Sequence, residues 1–128
     1  MANVPQELRY TEEHEYVKQT AEPGVVTIGI TEFAQDQLGD VVFVELPKVG
    51  ASFGRMEVFG TIEAVKAVSE LFSPVTGEIV AVNDSLDANP ALVNTDPYGE
   101  GWMIRIRLAN PAELDGLMDA DAYEKRIS

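Results

Sequence analysis

Cysteine is absent from the 128-residue chain. That removes a disulfide framework, a thiolate zinc site and a cysteine nucleophile together, and it leaves no sign of an oxidising compartment. Histidine occurs once, at His14, so a zinc site would have to draw nearly all its other ligands from carboxylates. Basic residues are scarce: nine Lys and Arg stand against 22 Asp and Glu, a formal charge of −13. Nucleic-acid binders carry a basic footprint, and this charge repels phosphate backbones and anionic membranes alike. Long hydrophobic runs are missing too; stretches such as Val41 to Val44 are far too short to span a bilayer. The opening MANVPQELRYTEEHEY has neither a signal-peptide core nor an Arg/Ser-rich amphipathic pattern, so a soluble, unexported chain is expected. What is present is 45% apolar, enough for one domain over residues 1–128 with a core that needs no covalent staples. The surplus of negative charge directs encounters toward partners with positive patches, in a salt-dependent way.

Strand signals dominate the chain. Val25 to Ile30 and Asp40 to Leu46 are β-branched and apolar, and they flank a short helical patch with Thr31 as N-cap and Gly39 as its stop. Pro47 to Gly50 reads as a turn. Met56 to Glu63, Ser69 to Ser73 and Glu78 to Val82 are further strands, punctuated by Ser73-Pro74 and Thr76-Gly77. Trp102 to Leu108 alternates, which places Trp102, Ile104, Ile106 and Leu108 on a core face and Met103, Arg105 and Arg107 on the other. Asp96-Pro97-Tyr98-Gly99 is a turn signature. Near the end, Asn110-Pro111-Ala112-Glu113 has the N-cap, first-turn proline and N3 glutamate of a helix start, and Ala120 to Ile127 reads as a second helical turn or two, within a C-terminal helical segment of about 111–127.

Chemistry-bearing residues are few. His14 lies in Glu12-Glu13-His14-Glu15 and reads as a surface histidine among acids; a His14 dyad with Glu13 or Glu15 is the acid/base alternative, with no nucleophile nearby. Only four lysines occur, and Lys66 stands apart. It sits in Ala64-Val65-Lys66-Ala67, between the arms Glu57 to Glu63 and Val68 to Ser73, which puts it at the tip of a β-hairpin over about residues 57–73. Its small and aliphatic neighbours leave the ammonium uncovered.

The stretch IEAVKAVSE followed by SPVTGEIVAVN resembles the attachment hairpin of lipoyl and biotinyl carrier domains, with Gly50 before it and Gly77 after it at that family's offsets. Val65-Lys66-Ala67 favours lipoate, because biotin carriers usually read Met-Lys-Met. YTEEHEYV from Tyr10, GITEFAQDQLGDVVFVELPKVG from Gly29 and NPALVNTDPYGEGWMIRIRL from Asn89 extend the likeness from about Leu8 to Ile127, and the whole resembles the H-protein family of the glycine cleavage system. The resemblance implies a mainly β fold, a lipoyl/biotinyl-type barrel-sandwich hybrid of two antiparallel sheets with a short internal helix and C-terminal helices. It also implies a carrier that catalyses nothing itself. Lipoate would be attached covalently as N6-lipoyllysine at Lys66. The aminomethyl group of glycine would pass between a pyridoxal-phosphate glycine decarboxylase, a tetrahydrofolate-dependent aminomethyltransferase and dihydrolipoamide dehydrogenase. Lipoylating enzymes are implied as further partners, and Glu63, three residues before Lys66, matches the acidic position they read. A loaded arm ends in a primary ammonium that needs a carboxylate when it docks, and Glu15 and Glu70 are the two matching acids. The expected compartment is the bacterial cytoplasm, or the mitochondrial matrix for a processed eukaryotic chain.

Two departures stand out. The family's Glu-Ser-Val-Lys-Ala reads Glu63-Ala64-Val65-Lys66-Ala67 here, and Tyr16 replaces a more frequent Trp. Neither removes the attachment amine. Trp102 is expected in the core. A lipoate relay or a biotin carrier of the same shape is the alternative function, and a small enzyme built on His14 is a more distant one.

Overall fold

In a computed structural model describing residues 4–127, nine strands and four short α-helices follow one another along the chain. The strands are β1 (Arg9–Tyr10), β2 (Glu15–Gln19), β3 (Val25–Ile30), β4 (Val41–Glu45), β5 (Ser52–Phe53), β6 (Val58–Ala64), β7 (Val68–Phe72), β8 (Gly77–Val82) and β9 (Ile104–Leu108). The helices are α1 (Glu32–Leu38), α2 (Ser85–Ala88), α3 (Leu92–Thr95) and α4 (Ala120–Ile127). Met1 to Asn3, which open the segment read above for targeting signals, and Ser128 lie outside the described residues.

The strands form two antiparallel sheets, one of six strands in the order β1-β2-β3-β9-β8-β5 and one of three in the order β4-β6-β7. The mainly β class and the barrel-sandwich architecture are as expected. One apolar cluster joins the two sheets: Val17, Ile28, Ile79, Ile104 and Ile106 from the larger pack with Val44, Ile62 and Leu71 from the smaller. Each such side chain, fully withdrawn from water, contributes about 1.5–3 kcal/mol. A second cluster, Leu8, Tyr10, Tyr16, Ala120 and Tyr123, holds the C-terminal helix against β1 and β2, with the Tyr10 and Tyr123 rings stacked at 4.6 Å.

Local signals explain α1. Thr31 Oγ1 accepts from the Ala34 N–H at 3.2 Å, and the Gly39 N–H closes the last turn on the Gln35 carbonyl at 2.9 Å. Both ends are where the sequence places them.

Three expectations need correction. Trp102 is not a core residue, and the alternation fails at Trp102 and Met103. Strand pairing begins only at Ile104, so the backbone ahead of it is irregular; Met103 is fully buried and donates its N–H to the Ile28 carbonyl, while Trp102 is half-buried with the Arg105 guanidinium 4.2 Å from its ring centroid. The C-terminal segment is helical in two parts: Pro111–Gly116 is 3-10, capped by Asn110, and α4 starts at Ala120. Glu113 does not close a capping box, because its carboxylate accepts from the Thr76 N–H at 2.7 Å and the Thr76 hydroxyl at 2.9 Å. Finally, His14 is half-buried rather than solvated. It has φ of 70°, and its Nδ1 lies 2.8 Å from the Tyr123 hydroxyl, which in turn is 2.7 Å from Thr31 Oγ1.

Candidate functional site

The three-stranded sheet presents the lysine. β6 and β7 pair from Val58 with Phe72 to Glu63 with Val68, and the Ala64 N–H donates to the Ala67 carbonyl at 2.7 Å, leaving Val65 and Lys66 as the whole bend. Neither Val65 nor Lys66 has a positive φ, so the bend is not one of the twist-matched primed turns and depends on hydrogen bonds to hold it. A second tie comes from outside the hairpin: the Val65 N–H donates to the Asp40 carbonyl at 2.9 Å. Lys66 is exposed, as expected, but its stem is not free of contacts. A Cβ placed on Gly39 would sit 3.1 Å from Lys66 Cε and 3.8 Å from Nζ, so the glycine leaves a shallow seat along which the methylenes run.

That seat is held from below. Gly39, at φ 81° and ψ −156°, occupies a region of backbone space open almost only to glycine. Asn94, on α3, fixes it: the Asn94 amide nitrogen donates to the Gly39 carbonyl at 2.8 Å and to Gln35 Oε1 at 2.9 Å, and its oxygen accepts from the Val41 N–H at 2.8 Å. One side-chain amide thus sets the path of Gly39 to Val41, and that path supports the bend.

Of the expected acids, Glu63 and Glu70 are exposed on the same sheet, Glu63 opposite Val68 and Phe43, Glu70 opposite Thr61. Glu15 differs. It is only 2% exposed, at the start of β2, with Oε1 accepting from the Thr11 hydroxyl at 2.9 Å and Oε2 accepting from the Phe72 N–H at 3.3 Å. It therefore links the large sheet to the last residue of β7. Burial pushes its carboxyl up from 4.5 to about 8, a rise that the Thr11 and Phe72 hydrogen bonds oppose and the Glu13 charge reinforces. His14 moves the other way, its pKa lowered chiefly by burial, with the Arg126 charge adding to the effect and Glu13 opposing it.

Sequence reasoning missed Gly39 as a seat and Asn94 as a support. Gly39 was legible only as a helix stop, and Asn94 reaches partners 53 and 55 residues away, which no local pattern encodes. Among the described residues no group of three or more His, Cys, Asp or Glu is placed to hold a metal ion, and no helix is long and apolar enough to cross a membrane.

Comparison with known proteins shows the family of the chain. The family model described as "Glycine cleavage H-protein" matches residues 8–128. A glycine cleavage system H protein of Symbiobacterium thermophilum is 56% identical over 124 residues, covering 97% of this chain and 95% of that protein. The protein of the same name from Chromobacterium violaceum is 54% identical over 127 residues, 99% of this chain and 98% of the relative. The crystal structure of a glycine cleavage system H protein from Mycobacterium marinum superposes with a TM-score of 0.88 at 36% identity, covering 96% of this chain and 98% of that one. The chain belongs to the glycine cleavage H-protein family, and so is a carrier component of that system rather than a catalyst.

Proposed function

We propose that this protein carries lipoate as an amide on Lys66 and moves the aminomethyl group of glycine between three enzymes: a pyridoxal-phosphate glycine decarboxylase, a tetrahydrofolate-dependent aminomethyltransferase and dihydrolipoamide dehydrogenase. The observation that carries the reading is the exposed Lys66 amine on a two-residue bend tied down by the Ala64–Ala67 and Val65–Asp40 hydrogen bonds. The residues present suit the group: the amine is accessible for acylation, and the Gly39 seat leaves the stem room to lie along the surface. When attached, lipoate supplies a cyclic disulfide that takes up a one-carbon unit and electrons and yields them at successive active sites.

The protein's own part is mechanical and electrostatic. A fixed bend sets the origin of the arm, and tethering raises the effective concentration of the arm's end at whichever enzyme is docked. Glu70 is exposed on β7 and offers a carboxylate to a cationic arm end, while Glu15 is buried and joined to β7 through the Phe72 N–H. A positive charge arriving beside Glu15 would favour its ionised form and draw its pKa back down. Glu63, exposed three residues before Lys66, is assigned to recognition by lipoylating enzymes. The protein's site of action is the bacterial cytoplasm, a reading supported by the bacterial origin of its relatives.

The test is coexpression with a lipoyl-attaching enzyme followed by peptide mass measurement across residues 56–77. One lipoyl group is expected on the wild-type peptide and none on the Lys66→Arg protein, which should also fail to support reconstituted glycine oxidation. A modified Lys66→Arg protein, or full glycine oxidation by it, refutes the assignment. Glu63→Ala should slow the modification, and an unchanged rate removes Glu63 from the site.

A further inference from the structure

The solvent face of the three-stranded sheet is unusually apolar beside Lys66. Val42, Phe43, Val65 and Val68 are 53%, 46%, 76% and 67% exposed. The register brings them together: Phe43 lies opposite Glu63, and Glu63 opposite Val68, one cross-strand row directly below the bend. The next row is Glu45, Thr61 and Glu70. A β-bulge makes the patch. Pairing steps from Val41–Ala64 to Phe43–Glu63, so two residues of β4 answer one of β6. Without that extra residue Phe43 would fall in register with Ile62, which is fully buried, and would point into the core. The bulge turns an aromatic outward at an energetic cost to the sheet, which marks the face as built for contact rather than left over from packing.

We infer that the Phe43–Glu63–Val68 row, with Val65 above it and Glu45 and Glu70 below, is the docking face for the enzyme that acylates Lys66. The inference rests on the assignment of lipoate to Lys66. Acylation is chemistry at Nζ itself, so the acylating active site must close over the bend and cover the residues around the lysine's root. Enzymes that act on the far end of the arm work an arm's length away and have no such requirement. The fitting partner surface is an apolar socket for Phe43 and Val68 rimmed by Lys or Arg facing Glu45, Glu63 and Glu70, since buried aromatics anchor interfaces and rim charges steer encounter. In the covered state the lysine loses one proton to become the free amine and attacks the acyl carbon of a mixed carboxylic–phosphoric anhydride. The C–N bond forms, the C–O bond to phosphate breaks with its electron pair leaving on the phosphate oxygen, and a second nitrogen proton passes to a base of the enzyme.

The experiment measures the initial rate of lipoyl transfer from that anhydride by the acylating enzyme, using intact mass, for wild type, Phe43→Ser, Phe43→Leu, Val68→Ser and the distant Val49→Ser. Phe43→Ser should lower kcat/KM about tenfold or more through a higher KM, Val68→Ser less, and Phe43→Leu should recover most of the loss. Val49→Ser, an exposed apolar position in the turn before β5, should match wild type. Combined Glu45→Gln and Glu70→Gln should slow association and flatten its dependence on salt. Wild-type rates for Phe43→Ser and Val68→Ser overturn the docking face. So does an equal loss when the fully acylated variants are assayed at the arm's end, or a change from dimer to monomer in Phe43→Ser with acylation intact, which would assign the face to a second copy of this chain. If wild type itself gains no mass while a control carrier does, the lipoate assignment fails and the docking face falls with it.

Discussion

Replacing Glu15 with glutamine should make the protein more stable in alkaline solution while leaving it nearly unchanged in acid. The side chain is 2% exposed, and burial holds its carboxyl at about 8 instead of 4.5. Below 4.5 the acid is protonated whether the chain is folded or not, and its contribution is complete. Between 4.5 and about 8 the folded chain holds a proton that the unfolded chain has released, so stability falls as pH rises. At about 1.4 kcal/mol for each tenfold change in proton affinity, the full loss is roughly 5 kcal/mol, a large share of a domain's typical stability. Glutamine copies the neutral acid. Its carbonyl can accept from the Phe72 N–H and its NH2 can face the Thr11 hydroxyl, preserving both contacts seen for the carboxyl. Urea titrations of wild type and the Glu15→Gln protein at pH 5 and pH 9 test this. Near-equal stability at the lower pH and a variant ahead by several kcal/mol at the higher one is the expected pattern; other acids cancel because both proteins carry them. A stability difference that stays constant across the range refutes the argument, since it would mean that Glu15 ionises alike in the folded and unfolded chain.

Asn94→Ala should cost about 1–3 kcal/mol by leaving the buried Val41 N–H and the Gly39 carbonyl without partners, and amide exchange at Val65 should accelerate as the Asp40 support loosens. Gly39→Ala should cost about 1–3 kcal/mol for its backbone conformation alone, and the new methyl, 3.1 Å from Lys66 Cε, should shift the lysine stem and slow its acylation. Tyr123→Phe removes the hydroxyl shared by His14 and Thr31, and should lower stability by about 1–2 kcal/mol in thermal unfolding while leaving the Tyr10 stack in place. Proton NMR of His14 should show a midpoint below 6.5, so that stability contributed by the neutral ring is lost as pH falls through that value toward the folded midpoint.

The hairpin was readable because its two β-branched arms and its small-residue bend obey one local rule, and α1 because Thr31 and Gly39 are local punctuation. β1 and β5, two residues each, carry no period at all; they exist because Tyr10 meets Tyr16 and Phe53 meets Gly77 in the folded sheet. α2 and α3 are single turns in a segment rich in turn formers, where Asn83 and Asn94 side chains organise the backbone from a distance. Trp102 misled because its spacing continues the alternation of β9 beyond the point where the strand stops. Lys66 could be singled out from the sequence, but the seat beneath it, the outward turn of Phe43 and the burial of Glu15 all depend on pairings between distant segments.

A sheet of only three strands has two flanks, and on each of them one N–H is taken here by a side chain rather than by further backbone. The Val41 N–H is taken by the Asn94 oxygen on one side, and the Phe72 N–H by the Glu15 carboxyl on the other. Each plug denies a passing strand a hydrogen bond with which to extend the sheet. The surface that offers up the lysine is thereby kept from polymerising with its own kind, and loss of either plug should first appear as a concentration-dependent tendency of the purified carrier to form fibrils.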